Sequence, residues 1–234
     1  MYSGLISLSA IFLSFAVATP QGKGKKGGGP IVSPYQRDDS GGSGPYKAHY
    51  VADPALPDHT IYAPKIPPKE PMPLIVWGEG KIWLLGLLSK ADIVTKGACA
   101  AQGTAFVNLL TELASHGYVV IANGAPGTPG SPFPKNRSKT TSPAQLTQAM
   151  DWVTKGGDAG KYGTIDKNKV AAAGQSCGGG QAMSVSGDPR VKLTGMFNSG
   201  GMGKRGGGFA AKDLKHPIMY LLGGTGDIAY NGVS

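Results

Sequence analysis

At 234 residues the chain is long enough for a single domain with a sizeable core. Hydrophobic residues make up 40% and charged residues 16%, which excludes a largely disordered chain; the 38 glycines and 18 prolines gather in particular stretches, as loop and linker markers and not as a fibrous repeat. A formal charge of +9 would suit a nucleic-acid partner, but the basic residues are scattered, with small groups at 23–26, 135–139 and 204–205 and no interleaved aromatics, so a solvated basic face is expected and no nucleic acid.

Residues 1–18 carry an apolar run from about Leu5 to Val17 and end in Ala16-Val17-Ala18, a small-x-small cleavage pattern. The run is short for a bilayer, so it reads as a secretory signal peptide, although no Lys or Arg precedes it. A secreted, extracellular chain without stable membrane insertion is expected. Residues 19–45 are Gly, Pro, Ser and Lys with almost nothing apolar and read as a disordered linker. The folded domain is expected over 46–234.

Within it, 60–63 reads as an early strand and 73–77 as a buried one bounded by Gly78. From 102 to 115, Phe106, Leu109, Leu110, Leu113 and Ala114 follow helical spacing, and His116-Gly117 stops the helix. Residues 118–122 form a continuous apolar strand, the pattern of a parallel sheet covered on both faces. After a long Pro/Gly loop, Ser142-Pro143 opens a helix bearing Leu146, Met150 and Val153 on one face. Strand 170–173, a turn at Ser176, a short helix, strand 191–198 and strand 218–222 follow. Alternating strands and helices give an α/β class, a doubly wound and mostly parallel sheet.

Two cysteines, Cys99 and Cys177, in a chain bound for an oxidising compartment favour one disulfide over two free thiols. Neither has metal-site spacing, and no metal is expected. Asn136-Arg137-Ser138 is a glycosylation sequon in a polar, Pro-flanked loop. Trp152, Tyr162 and Phe133 line a pocket or belong to the core; the core is the better reading for Trp152, which lies on a patterned helix.

Gly174-Gln175-Ser176-Cys177-Gly178 fits Gly-x-Ser-x-Gly between a strand and a helix. A serine on so sharp a turn has its hydroxyl exposed at the C-terminal edge of the sheet, and the flanking glycines leave room for the turn. The N–H of Cys177 then points at a developing oxyanion beside the helix N-terminus. Ser176 is therefore the candidate nucleophile. The alternative is a merely structural Gly-rich turn.

The strand Leu74-Ile75-Val76-Trp77, the stretch from Leu113 to Ile121 and the Gly-x-Ser-x-Gly-Gly turn resemble secreted polyester-hydrolase and cutinase-like α/β-hydrolases. The similarity is closer to fungal secreted α/β-hydrolases with Trp-Gly-x-Gly-Ala-Cys after that strand, and it covers most of 46–230. It implies a monomeric ester hydrolase acting through an acyl-enzyme on a small-molecule or polymeric ester, with a Ser-Asp-His triad and no cofactor. In the loop after strand 218–222, where the resemblance places the triad acid, stands Asp227; Asp188 in Gly187-Asp188-Pro189 is the runner-up. The second oxyanion donor belongs to the loop Gly78-Glu79-Gly80, with Glu79 the choice by position.

Two departures weaken the expected activity. The histidines are His49, His59, His116 and His216, and none follows Asp227. The chain stops at Ser234, before the last strand and histidine loop that the resemblance implies, so the fold reads as truncated at its C-terminus and the activity as impaired. Residues 81–97 also separate Glu79-Gly80 from Ala98-Cys99, and deleting them restores Trp-Gly-x-Gly-Ala-Cys. The segment reads as an intron translated in frame, since Gly80-Lys81 can encode a splice donor and Lys96-Gly97 an acceptor. The other reading is a real lid, with Trp83, Leu84, Leu85, Leu87 and Leu88 over an apolar site. Joining the two loops brings Cys99 beside the nucleophile turn, so a Cys99–Cys177 disulfide is expected, against two buried free thiols. A non-catalytic hydrolase-like protein that binds a wall polymer or a lipid is the alternative function.

Overall fold

The computed structural model describes residues 38–80, 99, 102–127, 140–156, 158–200, 214–225, 227 and 229–230. Among these, seven strands form one sheet: β1 (Ala48–Val51), β2 (His59–Pro64), β3 (Met72–Gly78), β4 (Val119–Asn123), β5 (Ile165–Gln175), β6 (Val191–Phe197) and β7 (Ile218–Leu221). Their order is β1-β2-β4-β3-β5-β6-β7. β2 pairs antiparallel with β1 and β4, and every other pairing is parallel. The helices are α1 (Val107–Ser115), α2 (Pro143–Thr154) and α3 (Cys177–Val185), with a 3-10 turn at Asp158–Tyr162. The class is α/β, a mixed and mostly parallel sheet with helices on both sides.

The continuous apolar run of β4 follows from its position. It pairs on both edges and is covered on both faces, and Val119, Val120, Ile121 and Ala122 are all fully buried. Val119 and Ile121 join Val76, Ala172, Leu146, Met150 and Val153 in the core beneath α2 and α3. On the other face Phe106, just before α1, packs edge-on against Trp77 at 5.7 Å, and Phe197 does so at 5.1 Å. Each fully buried side chain here, Trp77 among them, contributes about 1.5–3 kcal/mol. Ser142 caps α2 through its backbone, its N–H donating to Gln145 Oε1 at 2.8 Å, and Pro143 follows in the first turn.

The structure departs from the sequence pattern in four places. β1 has the short, ambiguous sequence Ala-His-Tyr-Val and pairs only with β2. β5 begins at Ile165, five residues before the apolar run, because its polar first half is an exposed extension; a register shift between Val170 and Ala171 marks the join. α1 starts at Val107, after a turn in which Ala105 N–H bonds to Gln102 O at 2.9 Å. The ordered chain also includes residues 38–45, at the end of the segment read as linker. Asp38 N–H donates to Asn108 Oδ1 (2.9 Å), Ser43 N–H to Glu112 Oε2 (2.7 Å) and Gly44 N–H to Ser115 Oγ (2.9 Å), so polar residues order by bonding to α1 where no apolar signal predicts it. No helix among the described residues is long and apolar enough to cross a membrane.

Candidate active site

β5 passes into α3 through a single residue, Ser176, at φ 53° and ψ −122°. That left-handed backbone costs a non-glycine residue about 1–3 kcal/mol and persists only where its neighbours over-determine it. Here Ser176 N–H donates to Phe197 O (2.9 Å), while its carbonyl accepts Ser199 Oγ (2.8 Å) and Gly180 N–H (3.3 Å). The flanking glycines let α3 press onto the sheet. A Cβ at Gly178 would lie 2.0 Å from Gly78 O, and one at Gly174 2.3 Å from Gly178 O. Ser176 is half-buried at the C-terminal edge of β5, and Cys177 opens α3, where the first N–H groups have no intrahelical acceptor.

Asp227 lies in the loop after β7, at the same edge. Its Oδ2 accepts Asn198 Nδ2 (2.7 Å) and Gly223 N–H (3.0 Å), and its Oδ1 accepts Ala229 N–H (2.9 Å). The Gly223 and Ala229 amides, then Asn198, hold its carboxyl below the ordinary 3.8 despite some desolvation, so it is ionised at neutral pH. Asn198 directly follows Phe197, the residue that holds Ser176 N–H, and Asn198 itself has φ 43°. Two left-handed residues thus connect the Ser176 turn to Asp227. Asn198 read from sequence only as the last residue of a strand; its type is the one signal, since Asn tolerates this backbone better than most residues. The runner-up Asp188 sits before β6, at the opposite edge, and is held by Arg190 (Nε to Oδ1 2.9 Å, Nη2 to Oδ2 2.7 Å).

None of the four imidazoles is bonded to Ser176. His59 starts β2 at the right edge but lies three strand spacings from β5, about 14 Å. It is fully buried, with Nε2 2.8 Å from Gln145 O, and desolvation lowers its pKa. His49 lies farther out on β1. His116 Nε2 meets Glu112 Oε1 at 3.0 Å after α1. His216 Nε2 meets Thr194 Oγ1 at 2.9 Å, about 10 Å along β6 from the Phe197 end.

Cys99 and Cys177 form a disulfide, with Cα atoms 5.7 Å apart. Cys177 Sγ lies 4.0 Å from the Glu79 carbonyl, so the Ser176 turn, Cys99 and the loop after β3 meet at one point. Glu79 differs from its expected role: its N–H, assigned to the oxyanion hole, donates to Asn123 Oδ1 at 2.8 Å. The cause is the polar end of β4, which turns an amide side chain towards this loop.

The Glu79 side chain is fully buried, and among the described residues neither carboxyl oxygen has a partner in good hydrogen-bond geometry, the Trp77 indole being only nearby. Desolvation raises its pKa well above the ordinary 4.5, and the nearby Trp77 indole offsets only part of this. The folded state keeps this proton at pH values where the unfolded chain has lost it, so stability falls as pH rises above about 4.5. Glu79→Gln removes that titration. E79Q is expected to gain stability relative to the parent as pH rises from about 4 to about 8; parallel pH profiles in denaturant unfolding would contradict it.

Trp152 and Tyr162 meet at a tilt with ring centres 6.2 Å apart against the core, and Tyr162 Oη donates to Asp53 Oδ2 at 2.7 Å. Among the described residues no three His, Cys, Asp or Glu side chains gather as a metal-holding group. Residues 1–18, the 81–97 segment, Phe133 and Asn136 lie outside the described residues. Compared with family models and with curated proteins, the sequence matches none.

Proposed function

We propose that the chain is a secreted serine carboxylic-ester hydrolase of the α/β-hydrolase type, with Ser176 as nucleophile and Asp227 as the acid, impaired because no imidazole stands between them. The observation that carries this reading is the Ser176 backbone, φ 53° and ψ −122° at a strand-to-helix turn, which is the strained placement a nucleophilic serine needs. The acid after β7 in the chain order Ser then Asp, and a disulfide suited to an oxidising compartment, support it.

In this reading Ser176 Oγ attacks the ester carbonyl, Cys177 N–H stabilises the oxyanion, and the alkoxide leaves as the acyl-enzyme forms. The serine proton must pass to a base, and none of the four histidines is placed to take it. That observation favours a second reading, a non-catalytic hydrolase-like protein that binds a wall polymer or a lipid. Hydrolysis of p-nitrophenyl butyrate with added imidazole, by the parent and by Ser176→Ala, separates the two. Turnover that depends on Ser176 supports the enzyme; equal rates overturn it.

A further inference from the structure

The loop after β3 is tied to Cys99 by an unbroken run of hydrogen bonds, buried up to the last, which is part-buried. Glu79 N–H donates to Asn123 Oδ1 (2.8 Å), and Asn123 Nδ2 donates to Gln181 Oε1 (2.7 Å). Gln181 Nε2 donates to Thr141 Oγ1 (3.2 Å), whose hydroxyl donates to Cys99 O (2.9 Å); Thr141 N–H also reaches Cys99 O (2.8 Å). Asn123 Nδ2 also reaches Ser142 O, at 3.5 Å. Glu79, Asn123, Gln181 and Thr141 are all buried.

The direction of the run is dictated from one end. A backbone N–H can only donate, so it fixes the acceptor oxygen of Asn123 towards Glu79. The Asn123 NH2 must then face Gln181 and fix that amide too, which leaves Thr141 Oγ as acceptor and turns its proton to Cys99 O. The Cys99–Cys177 disulfide returns the run to the residue after Ser176, and Cys177 Sγ lies beside the Glu79 carbonyl. Gln181 stands on α3 one turn beyond Cys177, so the ring joins the loop after β3, the end of β4, the loop before α2 and the nucleophile helix.

We infer that Asn123 and Gln181 are positioning residues, which with Thr141 hold the loop after β3 in register with the Ser176 turn through this one-directional hydrogen-bond relay. Nothing about the relay's own existence depends on catalysis; its consequence for turnover rests on the reading of Ser176 as nucleophile. Buried polar networks of this kind are strong when every member is satisfied and fail as units when one is removed. Gln181 does not touch Glu79, so an effect of Gln181 on the Glu79 amide is the signature of the relay.

The test compares two near-isosteric variants by hydrogen exchange of the Glu79 amide. Gln181→Met removes both donor and acceptor, while Gln181→Glu keeps an acceptor for Asn123 Nδ2 and lets the Thr141 hydroxyl turn towards it. The Leu110 amide in α1, bonded to Phe106 O at 2.9 Å, reports global opening. Relative to Leu110, Glu79 exchange is expected to quicken by roughly tenfold or more in Q181M and by less than about threefold in Q181E. A Glu79 amide that moves no more than Leu110 in Q181M, or that exchanges as fast in Q181E, overturns the relay. In the imidazole-supplemented ester assay, Q181M is expected to lower kcat roughly tenfold with KM changed by less than about twofold. No turnover dependent on Ser176 in the parent would sink the hydrolase reading alone, because the exchange contrast still decides the relay.

Discussion

Replacing Gly178 with alanine is expected to cost about 3 kcal/mol of stability or more. The added Cβ would lie 2.0 Å from Gly78 O, 2.4 Å from Gly78 C and 2.8 Å from Glu79 C, all backbone atoms that no rotamer change can move aside. Relief requires α3 to lift from β3, which opens the contact that holds Ser176 in its left-handed backbone. At this chain length each kcal/mol lowers Tm by about 2–4 °C. Gly180 is the control within the same helix: a Cβ there meets nothing within 4 Å. Gly180→Ala is expected to raise stability by about 0.5–1 kcal/mol, because a helical glycine carries a backbone entropy cost. Thermal unfolding of the two variants should therefore move in opposite directions. G178A melting within a degree or so of the parent would mean that α3 is not pressed onto β3 as described. Gly78→Ala, whose Cβ would meet Gly178 O at 2.3 Å, probes the same contact from the other side.

The parts legible from sequence were those written in neighbouring residues. β4 showed as an unbroken apolar run because both its faces are covered, and the Ser176 turn showed because two glycines and a serine fall between a strand and a helix. The Cys99–Cys177 pair was limited to one possible bridge by the count of cysteines. What was not legible depends on partners far along the chain. Asn123 takes its donor from Glu79 and gives its own to Gln181, 44 and 58 residues away. Nothing local to an asparagine at a strand end announces either bond, and the commitment of the Glu79 N–H was therefore invisible. The first half of β5 was hidden for a different reason: Lys167, Asn168 and Lys169 are exposed and fall in a register shift, and only Ile165 and Asp166 pair with β3 before it. Residues 38–45 look like linker by composition, and order because α1 offers Asn108, Glu112 and Ser115 as acceptors. Composition reports how much apolar surface a segment brings, not what the rest of the fold offers it.

A protein of these 234 residues is expected to hydrolyse p-nitrophenyl butyrate roughly tenfold faster when free imidazole is added, with that increment absent from Ser176→Ala. The size follows from what is missing. Serine and its base act as a unit, and loss of the base alone costs roughly ten-thousand-fold or more in kcat, about as much as loss of the serine. Basal turnover therefore says little about Ser176, since the residual rate comes from oxyanion stabilisation and binding. A base free in solution recovers only a small part, because a positioned group acts at an effective concentration of about 10⁵ M or more. Asp227 gives the added imidazole a place to dock. Among the described residues three of the roughly four acceptor sites of its carboxylate are taken, by Asn198 and the Gly223 and Ala229 amides, and an imidazole N–H would use the fourth. Asp227→Asn, which cannot hold an imidazolium, is expected to reduce the increment severalfold. The increment should also grow as pH rises through about 6.5, because only neutral imidazole accepts the serine proton. An imidazole response of equal size in S176A would leave the catalytic reading without support and favour the binding protein. A response that depends on Ser176 and on Asp227 together would assign both residues to one reaction.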